Sequence, residues 1–355
     1  NIVPPSHRGR MMGTITVVIA VAPAIGPTVS GLILSTLTWH AIFWVMLPIA
    51  LIAIALGAVW VKNVTETRAD ARFDVLSVPL SALGFGGLIY AFSAIGESAS
   101  GHAPIPVAIP LAVGAVALVL FVLRQLHLQK TDSALLDLRT FQTRTFSLAV
   151  VLVVVVFAAL FGSIVLLPIY LQQVLGLDVL GIGLMLLPGG ILMGVMAPFV
   201  GNAFDRFGPT PLVIPGMIIA AAALWGMTLF DVNTGVPFVI AVHLALNLGL
   251  GLTFTPLLTS ALGSLPRRFY PYGSATVGTL QQVAGAAGTA LFVTIMTVTT
   301  AARMADGSGE VLAKADGVHA AFVVGAIVAT AAVGLALFVR KPAETDADGA
   351  PALAH

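Results

Sequence analysis

His243 and Asn247 stand four residues apart within an apolar stretch, so a helix would place them on one face. An imidazole takes up a proton near neutral pH, and a neighbouring amide offers hydrogen bonds to it or to a ligand. Gln281 and Gln282 form a second polar pair in apolar surroundings. On a helix, only one of two adjacent residues points directly into a cavity. Bond-making chemistry finds little support. No Ser-His-Asp set can be assembled at one depth, and no His or carboxylate pair has metal-ligand spacing inside an apolar stretch. The absence of a Gly-x4-Gly-Lys-Ser/Thr phosphate loop excludes direct ATP drive. With 0 cysteines, disulfides, thiolate metal sites and Cys nucleophiles are excluded together.

The elements that position these residues follow from composition. Hydrophobic residues make up 58% of the 355, charged residues only 9%, and mean hydropathy is +1.04. A soluble domain carries about 25% charged residues, so a soluble enzyme is excluded. A net charge of +1 excludes a nucleic-acid footprint. Ten stretches reach the length of about 20 residues that a bilayer-spanning helix needs. They cover 11–34, 39–61, 75–96, 105–123, 145–171, 180–201, 210–230, 236–262, 272–300 and 318–339. The fold class is therefore an all-α polytopic membrane protein. Lys and Arg are retained on the cytoplasmic side. Ten spans leave only Arg303 and Lys314, of 16 cations, on the opposite side, which makes both ends of the chain cytoplasmic. All 15 acidic residues, Asp205 among them, fall in loops or the tail.

Loop lengths group the spans as two, two and six. The expected organisation is a helix pair in 1–62, a cytoplasmic linker at 63–74 and a second pair in 75–123. A connector at 124–144, a six-helix bundle at 145–340 and a disordered tail at 341–355 complete it. That grouping, and a start at Asn1 rather than Met, lead us to expect a piece of a six, two, six protein lacking its first four helices. Such a piece is expected to insert into a membrane but not to transport by itself.

In the first span, Ala22, Gly26 and Ser30 lie four apart and admit a closely packed neighbour helix, while Pro23 and Pro27 free backbone carbonyls. With Gly31, this stretch resembles the antiporter motif of the major facilitator superfamily, matching it at Gly26, Pro27 and Gly31. Gly201-Asn202-Ala203-Phe204-Asp205-Arg206-Phe207-Gly208 resembles the superfamily's loop motif between two helices, in which Asp205 and Arg206 are its charged pair and Gly201 and Gly208 its glycines. Leu135 to Arg139, Tyr170 to Gly176, Leu187-Pro188-Gly189-Gly190 and Thr279 to Ala290 resemble the fourteen-span drug:proton antiporters. His40-Ala41 departs from the pattern, where the family reads Arg-Trp.

The resemblance implies helical bundles of the major facilitator type, with 1–62 as the last two helices of the N-terminal bundle and 75–123 as extra linker helices. It implies an exporter of amphiphilic or cationic organic compounds in exchange for protons, in the cell membrane, needing no cofactor beyond the proton-motive force. Partners are then a small organic substrate, protons and the lipid bilayer, and a monomer is expected. Gln281 and Gln282, on which the resemblance falls, are expected substrate contacts; from their depth in an apolar stretch, His243 and Asn247 either join them or make an interhelical hydrogen bond. The coupling carboxylates are expected in helices before Asn1. Gly26 and Gly31 are expected to pack on the sixth span around Gly189, Gly190 and Gly194, and Asp205 to reach residues 10–13. The alternatives are a dedicated exporter of an endogenous natural product, and a non-transporting sensor or scaffold of the same fold.

Overall fold

Backbone amides in hydrocarbon have no water to bond, so each apolar stretch must close its hydrogen bonds within itself. Among the described residues each does so as a helix. The computed structural model describes residues 25–26, 28–60, 74–99, 105–131 and 133–339. Its helices are α1 (helical at 28–36), α2 (His40–Trp60), α3 (Ser77–Ala99), α4 (Ala108–Leu128) and α5 (Arg144–Gln173). They continue as α6 (Val179–Phe207), α7 (Thr210–Met227), α8 (Val236–Gly263), α9 (Tyr270–Ala305) and α10 (Glu310–Ala336). No strand occurs among the described residues. Eight of the helices are long and apolar enough to cross a bilayer, which makes this a multi-pass membrane protein.

Two helix ends differ from the hydropathy reading. α10 begins at Glu310 rather than 318, because charged pairs support its first turns. Lys314 Nζ lies 2.6 Å from Glu310 Oε1 one turn back, and Arg303 Nε on α9 lies 3.0 Å from Asp316 Oδ2. α6 runs on to Phe207 and stops at Gly208, whose φ of 79° favours glycine. Hydropathy marks depth in the lipid, and a helix continues beyond it wherever its polar turns are wetted.

Helices α5 to α10 pack on one another. α5 lies against α8, α9 and α10; α8 also contacts α6 and α7; α10 also contacts α7 and α9. The backbones meet at glycines. A Cβ on Gly249 of α8 would stand 2.6 Å from the Ala220 nitrogen of α7, and one on Gly288 of α9 would overlap the Ala158 backbone of α5. The Phe292 ring sits where Gly162 and Gly325 leave space for it, edge-on to Phe322 at 6.0 Å. Outside this bundle, α3 and α4 form a hairpin closed by Gly87 against Gly114, and α3 rests on α9. α2 buries none of its residues and exposes Phe43, Trp44 and Trp60 among the described surfaces.

Gly288→Ala is expected to lower unfolding stability in detergent by about 1–3 kcal/mol, since α5 must move away from α9. Gly278→Ala on the same helix, where a Cβ meets nothing within 4 Å, is the control and should leave the midpoint unchanged or raise it. Equal losses for both would refute close α5–α9 packing as the cause.

Candidate functional site

His243 enters the seam between α8 and α6. Its ring Nε2 lies 3.4 Å from the Leu186 carbonyl of α6. Asn247, buried one turn on, donates from Nδ2 to the His243 carbonyl at 2.9 Å and lies 3.2 Å from the ring Nε2. Gly189 makes the seam possible, because a Cβ there would stand 2.6 Å from both His243 Nε2 and Asn247 Nδ2. The His243 ring thus makes the contact between helices, one of the two readings its depth allowed, while the Asn247 amide bonds within α8. The physical reason is the cost of polar groups at depth, which drives them onto a neighbouring helix where a small residue admits them. The sequence signal was Gly189 itself, a missing side chain opposite a histidine.

α9 separates its two glutamines. Its buried side carries Gly273, Val277, Ala284, Gly285 and Gly288. Gln281 is half-buried, one turn before Gly285, whose bare Cα admits the Phe161 ring of α5. Gln282 is exposed and continues the exposed row of Ser274, Ala275 and Gly278. Of the adjacent pair, Gln282 is the more exposed side chain. The structure does not bring Gln282 together with His243 and Asn247 into one polar cluster.

The small-residue motif of α1 meets α6, though nearer its start than expected. A Cβ on Gly31 would stand 2.9 Å from the Val179 carbonyl oxygen and 3.2 Å from Leu180 Cα. Thr28 Oγ1 donates to the Gly183 carbonyl at 2.8 Å. The contact thus lies on the first turns of α6, not at Gly189, which faces α8. Among the described residues a Cβ on Gly26 meets nothing within 4 Å, and Pro27 lies outside the described residues.

The stretch Gly201 to Gly208 is also corrected in shape. Gly201, Asp205 and Arg206 belong to the last two turns of α6, and only Gly208 and Pro209 form the turn into α7. Arg206 lays its guanidinium over the Phe207 ring at 5.0 Å. The expected partner of Asp205 at 10–13 lies outside the described residues. No cluster of His and carboxylates able to hold a metal occurs among the described residues.

Comparison with known proteins now decides the family. The profile described as Major Facilitator Superfamily matches residues 1–289. The chain belongs to the major facilitator superfamily. The lincomycin resistance protein LmrB of Listeria monocytogenes is 44% identical over 345 residues, which is 96% of this chain and 72% of that protein. LmrB of Bacillus subtilis is 42% identical over 346 residues, covering 96% and 71%. A multidrug resistance protein B homolog of Mycobacterium tuberculosis is 31% identical over 299 residues, covering 82% and 54%. The chain is therefore a membrane transporter of small molecules and not an enzyme, as the motifs implied.

Gly189→Ala is expected to lower unfolding stability by about 1–3 kcal/mol, because the new methyl displaces His243 and Asn247. Asn247→Ala removes one of the two groups it strikes. A double-mutant cycle should show the pair coupled by about 0.5–3 kcal/mol. Strictly additive losses would place Gly189 away from Asn247.

Proposed function

We propose that this transporter exports amphiphilic or cationic organic compounds, lincosamide antibiotics among them, in exchange for protons across the cytoplasmic membrane. The observation that carries the reading is identity of 44% to a lincomycin resistance protein along 96% of the chain. That similarity runs through α9, whose Gln282 amide is exposed at a row of small residues. An amide presents both a donor and an acceptor, which suits substrates rich in hydroxyl and amine groups. Transport proceeds by rocking of two bundles about a midplane site, with α1 and the first turns of α6 meeting across the two. Exchange for protons rests on the resemblance to drug:proton antiporters, and the excess of cations on one side supports cytoplasmic ends. The protein acts as a monomer in this reading.

Everted membrane vesicles from a drug-sensitive host test it, the protein being expressed together with the four helices expected before Asn1. Lincomycin is expected to dissipate an imposed inside-acid proton gradient, and a protonophore to abolish drug accumulation. Accumulation that survives the protonophore would exclude proton exchange, and none at all would exclude lincosamides. In the same vesicles Gln282→Ala should raise the half-saturating drug concentration roughly 2- to 10-fold, the equivalent of one lost hydrogen bond of about 0.5–1.5 kcal/mol. An unchanged value would remove Gln282 from the binding surface.

A further inference from the structure

At the open end of the α3–α4 hairpin, four side chains from two helices form one polar network. The Arg124 guanidinium of α4 grips Asp74, just before α3, with Nε at 2.7 Å from Oδ2 and Nη2 at 2.6 Å from Oδ1. Two parallel bonds of this kind fix orientation as well as distance. The Ser77 hydroxyl donates to the same carboxylate, and Gln125 Nε2 donates to Ser77 Oγ at 2.6 Å. Ser77 and Gln125 are both fully buried, so neither amide nor hydroxyl has water as an alternative partner.

The network does not stop at the hairpin. Gln125 Oε1 accepts the backbone N–H of Leu136 at 3.0 Å, which ties α4 to the connector. In the connector, Asp137 is buried and holds Arg139 through its backbone N–H at 2.9 Å and its Nη2 at 2.6 Å. Arg139 in turn lies over the Phe269 ring at 5.4 Å, with Arg268 over that ring at 4.7 Å. Phe269 is the residue that precedes α9. Meanwhile α3 rests directly on α9. The hairpin is thus joined to α9 twice, along its length and around through the connector to the helix start. A closed ring of contacts resists rotation about either attachment alone.

From this ring we infer that Asp74, Arg124 and Gln125 are positioning residues that fasten the α3–α4 hairpin to the six-helix bundle as one rigid body, so that α9, with Gln282, moves only together with the hairpin. The Leu135 to Arg139 stretch acquires a role as the middle of the clasp. Asp74 keeps its charge across the working pH range. The Arg124 guanidinium, followed by the Ser77 hydroxyl, holds the Asp74 carboxyl well below the ordinary carboxylate range. A depressed carboxylate keeps its full contribution above that range and loses it only as pH falls through the lowered value.

The 355-residue chain has no cysteine, so spin labels at introduced pairs report distances without background. Val116 of α4 with Val298 of α9 measures hairpin against bundle, and Leu83 of α3 with Ile109 of α4 measures the hairpin alone; all four sites are exposed. In nanodiscs the hairpin–bundle distance is expected to be narrow and to stay within about 2 Å from pH 5 to pH 8, with or without lincomycin. Arg124→Gln with Gln125→Ala should broaden it while the Leu83–Ile109 distance stays narrow. Exchanging the charges, Asp74→Arg with Arg124→Asp, should retain the narrow distribution that Arg124→Gln alone loses. A hairpin–bundle distance that shifts with pH or drug in the unaltered chain would overturn the proposal, as would one that stays narrow when the network is cut.

Discussion

Close approach of helix backbones at glycine is the constraint on which the rest of this structure depends. Inside a bilayer an apolar side chain gains little by exchanging lipid for protein, so helices associate through packing contact and hydrogen bonds. Contact at backbone distance requires a missing Cβ. Gly249 and Gly216 seat α8 on α7, Gly288 seats α9 on α5, and Gly87 with Gly114 closes the α3–α4 hairpin. The features with functional weight occupy spaces that glycines leave. Gly189 admits His243 and Asn247 to the α6–α8 seam, and Gly31 brings α1 onto the start of α6.

Much of the architecture was legible because the bilayer imposes it. Helix number follows from apolar stretches about 20 residues long; the nine expected spans from 39 onward correspond to described helices, and most of the first lies outside the described residues. The superfamily was legible in motifs such as Gly26 to Gly31 and Thr279 to Ala290. Helix ends were not. Glu310 to Gly317 reads as a charged loop, yet it is helical because Glu310, Lys314 and Asp316 pair with neighbours. Likewise Gly201 to Phe207 reads as a loop because its polar residues leave the apolar pattern, while the backbone continues to the positive φ of Gly208. The clasp between Asp74 and Arg124 spans 50 residues, and nothing in local spacing announces such a partner.

The functional residues divide along the same line. His243 and Asn247 were recognisable as unusual because polar groups at depth are costly, but the residue facing them decides their task. A side chain opposite would have left them directed at open space; Gly189 instead draws them into the contact between α6 and α8. Gln282 is exposed among the described residues, whereas Gln281 is half-buried. Periodicity separates the two glutamines by about 100°, and only the packing of α9 shows which of them is open.

The division between an open Gln282 and a sealed Asn247 is the central structural claim, and single-cysteine labelling measures it directly. Because the chain has no native cysteine, Gln282→Cys and Asn247→Cys can each be probed in membranes with a membrane-impermeant thiol reagent. Rapid labelling at 282, slowed by lincomycin, with an inert 247, is the result this account predicts. An unreactive 282 beside a reactive, drug-protected 247 would contradict it and return the binding surface to the α6–α8 seam.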